Sequence, residues 1–518
     1  NKFFICVVRF VWGMKLVKKK KMGYAAALFL IIGICIGCSK KAEVESTKTE
    51  EHKQNRTKLV VAYETSAASY EQDQKLVEEK VAELVREKLD IDVEFKVIAA
   101  NQNYEEEIHA MLAGQQQLDV IYSYAGLCSE LLLNQQLYPL DSLMELYGEG
   151  IQEEIGEEVL EVCRRNGELY QIPTNHDFAV SWEGYILNKD ILDRYHIKKE
   201  DITSIEKLEE VFALIKEKEP DMEIVDFDSG YMMVNQYFAG GANGLFGVHM
   251  DYGREEEYTN LFKTAEYREI IERAYRWRES GYLTRDMLDH SYSTDEKFAS
   301  GKLFAYACRG KPGIEQQEKL STGQDVVFVQ FGEDTVSCNS PASIGWSITR
   351  NSVSPEKAMQ LLDLWYTDPE IMNLLSYGVE GIHYIKTKDG HITFPEGKKT
   401  NPFIGEAWRM PNQFITYVWE GNPLTFWDDM RRFNEESLHD CDYGFNFDLS
   451  PVFSSYMDLQ EIYGKYQRVL ENGFIDPKEG LEEMNRELDA HFIDEVIAEK
   501  QRQYDEWKKE TETKAEIK

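Results

Sequence analysis

Between residues 58 and 122 the apolar positions change period in a regular order. Lys58 to Tyr63 (KLVVAY) is a short apolar run of the kind a buried strand carries. Over Glu71 to Leu89, Val77, Val81, Leu84 and Val85 fall on one helical face. Ile91, Val93, Phe95 and Val97 then alternate strictly with polar residues, which predicts a second strand. Tyr104 to Ala113 returns to helical spacing through Ile108, Met111 and Leu112, and Leu118 to Tyr122 (LDVIY) reads as a third, buried strand. Strand-helix-strand-helix-strand predicts a parallel α/β sheet whose ligand-facing loops follow the carboxyl ends of the strands. Tyr63, Tyr122 and Tyr124 stand at two such ends.

A later stretch repeats the alternation once. Ile344, Trp346 and Ile348 alternate with Gly345, Ser347 and Thr349, the period of a half-buried strand. Ser354, Pro355 and Glu356 supply an N-cap, an N1 proline and a first-turn acid, and Ala358, Leu361, Leu362 and Trp365 give the helix that follows one apolar face. Asp368-Pro369 starts a second helix that Gly378 can stop, before an aromatic and acidic loop from Glu380 to Tyr384. Ahead of the stripe Leu208, Val211, Phe212 and Ile215, Thr203 and Glu206 have capping-box spacing. Near the end, Ser455 to Glu471 and Leu481 to Lys508 carry helical stripes, the last marked by Met484, Leu488, Phe492 and Val496.

The first residues change the picture from a plain globular chain. Lys15 and Lys18 to Lys21 form a basic segment, and Ala25 to Gly37 is an uncharged apolar run, shorter than the ~20 residues a membrane helix needs and suited to a signal peptide. Residues 1–37 therefore read as a signal segment, with Met14 or Met22 as its start and residues 1–13 upstream of it. Residues 38–56 hold almost no apolar side chain and read as a disordered tether. The whole chain carries a formal charge of −35, which argues against nucleic acid and against an anionic membrane face as partners. Cys128, Cys163, Cys308, Cys338 and Cys441 are widely spaced and form no C-x-x-C, so they read as buried thiols.

Ile36-Gly37-Cys38, followed by Ser39-Lys40-Lys41, resembles a bacterial lipobox, with Cys35 where that pattern prefers leucine. The phrases "NGELYQIPTN", "EGYILNKDILDRYHI", "KFASGKLFAYACRG" and "SPEKAMQLLDLWYTDPEIMNLL" after "SIGWSI" resemble, in the same order, the extracellular solute-binding proteins of bacterial ABC sugar importers. "WEGNPLTF", "YGFNFDLSPV" and "YQRVLENGFIDP" are similar to a lipoprotein subset of them. The resemblance implies a two-lobed α/β fold of the type II periplasmic-binding-protein kind. It also implies a hinge of at least two crossings, a helical C-terminal region, and a lipid on Cys38 that holds the protein at the outer face of the cytoplasmic membrane. Residues 58–178 and 343–388 would make lobe 1, and residues 182–339 and 389–518 lobe 2. The implied function is capture of a carbohydrate, an oligosaccharide above all, by hinge closure and its delivery to an ABC permease, by a monomer without cofactor or catalysis. A peptide-binding importer component would share the architecture.

No His-Glu-x-x-His, Gly-x-Ser-x-Gly or P-loop pattern is present. A surface glycosidase would need two carboxylates about 5–10 Å apart, and among 93 acids a pair such as Asp428-Asp429, or Glu380 with Glu406, carries no signal. Asp440, Asp442, Asn446 and Asp448 alternate with apolar residues and could offer oxygens to Ca²⁺, but glycine stands fifth and not sixth, so they read as the polar face of an edge strand and no metal is expected. Sugars present apolar C–H faces, which stack on aromatic rings, and hydroxyls, which bond to amides and acids. Aromatic residues beside acids or amides near the crossings and loops give the candidate contacts: Asn175, Asp177, Trp182, Trp346, Glu380, Tyr384, Trp419 and Asn422, with Tyr63, Tyr122 and Tyr124. Trp365, inside a helix stripe, reads as core.

Overall fold

Thr57–Thr65 is an interior strand of the first sheet, and every residue from Leu59 to Tyr63 is apolar and buried. It pairs in parallel with Ile91–Ala99 on one side and with Val120–Tyr124 on the other. The return strand Ile344–Ile348 adds antiparallel to Val120–Tyr124 and is itself paired with Ile172–Pro173. All five of its residues are buried, with Trp365 of the following helix packed on Trp346, where the alternation predicts a half-exposed strand. The small polar positions are satisfied inside the sheet: Ser347 Oγ lies 3.0 Å from Ser123 Oγ. Gly345 is required by proximity, since a Cβ there would stand 2.2 Å from the Ile172 carbonyl oxygen.

This computed structural model describes residues 56–65, 67, 70–99, 103–165, 167–227, 237–239, 244–284, 294–337, 341–398, 401–403 and 405–517. The signal segment, Cys38, the tether up to residue 55 and Cys338 lie outside the described residues. Cys128 and Cys163 are buried free thiols as expected, whereas Cys308 and Cys441 are only half-buried.

The second sheet runs Val326–Gln330, Gly184–Asn188, Leu303–Ala307, Glu223–Asp226 in space. A third sheet is made of three short strands, Leu438–His439, Asp334–Val336 and Ala179–Ser181. Each lies where the chain passes from one lobe to the other. Ala179–Ser181 leads from the first sheet to the second, and Asp334–Val336 leads back to the return strand. Leu438–His439 leads from the segment around residues 377–427 to the C-terminal helices. The molecule is thus two-lobed, with three passages, and the third is one that the hydrophobic pattern does not mark.

Residues 389–518 do not stay together. Phe403 and Met410 are buried in the first core, and Ile392 packs with Tyr377 and Tyr384 beside it. The helices Phe453–Glu471, Pro477–Ala490 and Ile493–Ile517 instead cover Ala265–Glu279, whose Tyr267 and Ile271 face them while Ile270, Ala274 and Trp277 face the second sheet. The single helix expected over Leu481 to Lys508 is two. It breaks at Phe492, which takes φ +67° and is 55 % exposed, while Met484, Leu488 and Val496 are fully buried. The first cap is also shifted: Ser204, not Thr203, accepts from the Lys207 amide.

Under the C-terminal helices Glu471 is buried and accepts from Tyr463 Oη at 2.8 Å and Tyr267 Oη at 3.1 Å. Burial pushes its carboxyl up to about 8, against the lowering effect of the two phenols. The folded state therefore keeps a proton that the unfolded chain loses near pH 4.5. Stability is expected to fall by a few kcal/mol, to order of magnitude, as pH rises between those values, and to level off above the upper one. Urea melts of wild type and Glu471→Gln across that range check this: the variant should lose the slope, and an unchanged slope would contradict it.

Candidate functional site

A cavity of about 550 Å³ opens between the segment 405–430 and the helix Ile314–Thr322. A second, of about 440 Å³, adjoins it and shares Asp177, Asp295, Lys311, Gln317 and Glu318. One wall is aromatic: Trp408, Tyr417, Trp419, Phe426 and Trp427, with Tyr377 behind them. The other is polar: Lys311, Gln317, Glu318 and Ser321.

Trp408, Tyr417 and Trp419 stand outside any α-helix or strand, and Phe426 and Trp427 open the helix Phe426–Glu436, so the shape of the wall depends on side-chain bonds. Asn412 Nδ2 donates to the Tyr366 carbonyl at 2.8 Å and to Glu154 Oε2 at 2.9 Å, while its Oδ1 accepts from the Phe414 amide. Trp427 Nε1 donates to the Thr416 carbonyl at 2.8 Å, and Thr416 Oγ1 lies 3.1 Å from Tyr377 Oη. Trp419 meets Tyr377 edge to face at 5.8 Å. Trp408 is 36 % exposed, with the Arg409 guanidinium 4.8 Å from its ring centre, and Tyr417, Trp419 and Trp427 are half-buried, with the Lys386 ammonium 4.5 Å from the Tyr417 ring centre. The polar wall approaches closely at Gly313, where φ is +75° and a Cβ would lie 2.5 Å from the Phe426 ring. Gln316 Nε2 donates to the Glu420 carbonyl at 3.0 Å, so the two walls already touch at the rim.

Asp177 sits where the first passage begins. Its Oδ2 accepts from Lys311 Nζ at 2.6 Å and its Oδ1 from Gln413 Nε2 at 2.8 Å, which ties the base of both walls to one carboxylate. Burial alone would raise its pKa; the Lys311 ammonium and the His176 ring outweigh that and hold it well below the carboxylate range. His176 Nε2 is buried at the cavity wall with no partner among the described residues. Glu318, which accepts from Tyr306 Oη, is pushed up by burial.

Of the residues the sequence singles out, Asp177, Trp419 and Asn422 line the cavity. The others lie elsewhere. Trp346 is 1 % exposed and packs among Tyr63, Tyr122 and Trp365, with ring centroids 5.6–6.1 Å away; it is a core residue of the first lobe, as are Tyr63 and Tyr122. Tyr124 is half-buried at the end of its strand. Trp182 is buried in the second core, its Nε1 donating to Thr335 Oγ1 at 2.6 Å. Asn175 is structural, with Nδ2 on the Glu154 carbonyl and its backbone paired to residues 411 and 413. Tyr384 is buried beside Tyr377, and Glu380 faces outward and pairs with Lys386 at 3.0 Å. Strand alternation places an aromatic residue in a sheet, not in a cleft, and that misdirected the choice. The signal for Trp408 and Tyr417 was available: large aromatic residues without helical or strand period, in a stretch rich in Pro, Gly and Asn, whereas Phe426 and Trp427 open the helix Phe426–Glu436.

Residues 440–448 are turns and not an edge strand: the Tyr443 amide bonds to the Asp440 carbonyl and the Phe445 amide to that of Asp442. Their side chains diverge. Asp442 accepts from Tyr258 Oη at 2.8 Å, Asn446 from Arg165, and Asp448 from the Ser450 amide. The acid pairs considered for hydrolysis are ion-paired along their helix, Asp428 with Arg431 and Asp429 with Arg432.

Comparison with known proteins agrees with this architecture. The family described as bacterial extracellular solute-binding protein matches residues 67–372, and a domain of unknown function (DUF3502) matches residues 443–509. A carbohydrate ABC transporter substrate-binding protein of Streptococcus pneumoniae is 25 % identical over 393 residues, covering 73 % of this chain and 78 % of that protein. A polygalacturonan/rhamnogalacturonan-binding protein of Bacillus subtilis is 22 % identical over 256 residues, covering 45 % of this chain and 49 % of that one. The crystal structure of an N-glycan transport solute-binding protein from Streptococcus pneumoniae superposes with a TM-score of 0.77 at 20 % identity, covering 87 % of this chain and 98 % of that one.

Proposed function

We propose a function from one premise: this chain belongs to the bacterial extracellular solute-binding protein family. It captures an oligosaccharide between its lobes and presents it to an ABC permease, without altering it. The observation that carries this is the opposition of an aromatic wall to a polar one across about 550 Å³, a space that holds several sugar rings. Rings stack on Trp408, Tyr417 and Trp419. Hydroxyls bond to Gln317, to the cavity-facing amides and to the unpartnered His176 Nε2. The named relatives bind glycans, which supports the same reading.

Closure would swing the lobes about the three short strands at the passages. Contacts such as Gln316 with Glu420 are then the ones that change. Cys38 carries the lipid, and two acyl chains suffice for stable attachment. Cys38→Ala should move the protein from the membrane fraction to the medium; retention at the membrane would refute the anchor. Among the described residues no helix is long and apolar enough to cross a membrane.

A thermal-shift panel of neutral oligosaccharides against peptides tests the ligand class. Glycans should raise Tm and remain intact by mass spectrometry. A rise with peptides alone, or a cleaved glycan, would refute the proposal.

A further inference from the structure

Building on the glycan-binding reading above, we infer that this cleft selects neutral oligosaccharides and rejects uronate-bearing ones. A sugar carboxylate brought into such a space sheds most of its water and needs a cation to replace it. Among the described residues lining the two joined cavities, the permanent cations are Lys311 and Arg309. Lys311 is already engaged: its Nζ lies 2.6 Å from Asp177 Oδ2. A ligand carboxylate would have to compete with one fixed in place by its own backbone. Arg309 is engaged too, its guanidinium 5.0 Å from the centre of the Trp182 ring.

Carboxyl groups outnumber these cations at the same surface. Asp177, Asp295 and Glu318 all line both cavities. Glu318 and its phenol partner Tyr306 add no positive charge. On the opposite wall the nearby cations are engaged as well: Arg409 lies over the Trp408 ring at 4.8 Å and pairs with Glu64, and Lys386 lies over the Tyr417 ring at 4.5 Å and pairs with Glu380 at 3.0 Å. The face of Trp419 carries the negative side of its ring quadrupole, which attracts C–H bonds and not a carboxylate. At longer range the chain's −35 charge opposes a polyanion before it arrives. A neutral sugar meets none of these obstacles. It asks only for dipolar donors and acceptors, which the polar wall supplies.

The test is calorimetric titration of the full chain, near pH 7.5, with two oligosaccharide sets of matched length, one neutral and one of galacturonate, at low and at physiological salt. Neutral ligands should bind with a salt-independent Kd. Uronates should bind about 100-fold more weakly or worse, and improve as salt screens the repulsion. Asp177→Asn, which releases Lys311, and Asp295→Asn, which removes a negative charge, should each narrow the ratio between the two sets by about tenfold. A purely structural effect of either substitution would weaken both sets alike and leave the ratio unchanged, and an unchanged ratio in both variants overturns the inference. Wild-type binding of uronates as tight as that of neutral sugars also overturns it, while leaving the carbohydrate reading intact. Binding of neither set overturns both.

Discussion

Trp346→Ala should lower the unfolding free energy by about 3–5 kcal/mol, the range for emptying a large aromatic site in a packed core. The side chain is 1 % exposed and touches Tyr63, Tyr122 and Trp365, so neighbouring rings cannot collapse into the space without shifting the strands and the helix that carry them. Its Nε1 is buried without a partner, so Trp346→Phe removes an unsatisfied donor along with some volume and should be much milder. Urea melts resolve the two. Calorimetry on the folded alanine variant, at low temperature, should give an oligosaccharide Kd close to wild type. A large affinity loss without a stability loss would return Trp346 to the binding surface.

Asp177→Ala should cost about 2–4 kcal/mol of stability and weaken glycan binding as well. The substitution leaves Lys311 without its carboxylate and Gln413 without its acceptor, at the point where the two walls meet the first passage. The pair is partly shielded, with side-chain exposures of 11 % and 24 %, so solvent does not replace it fully. The Asp177 pKa is depressed, so its contribution is present above the ordinary carboxylate range and is lost only as pH falls well below it. Asp177→Ala combined with Lys311→Met should recover part of the stability, because the second change removes the stranded charge. A double variant as unstable as the sum of both single losses would contradict the pairing.

These two residues show what the sequence made legible. The α/β order of the first lobe followed from apolar period, and each strand and helix up to Tyr124 appeared within two residues of its expected bounds. Period alone could not say that Ile344–Ile348 has a partner on each edge, because pairing is a property of two distant segments. For the same reason it placed Trp346 at a ligand. Asp177 was legible from its place before the crossing, although its partners Lys311 and Gln413 lie more than a hundred residues away. The aromatic wall was the largest gap. Its rings follow no single period, and the bonds that hold the segment, Asn412 to the Tyr366 carbonyl and Trp427 to the Thr416 carbonyl, are ones that no spacing rule predicts.

The most direct measurement is calorimetric titration of a neutral oligosaccharide into wild type and into a Trp408→Ala, Trp419→Ala double variant whose melting is unchanged. One-to-one binding in the wild type, weakened by at least about 100-fold in the double variant, is the expected result for two stacking rings at the centre of a site. Equal affinity in both proteins, or no binding to the wild type, would contradict a glycan cleft built on that wall.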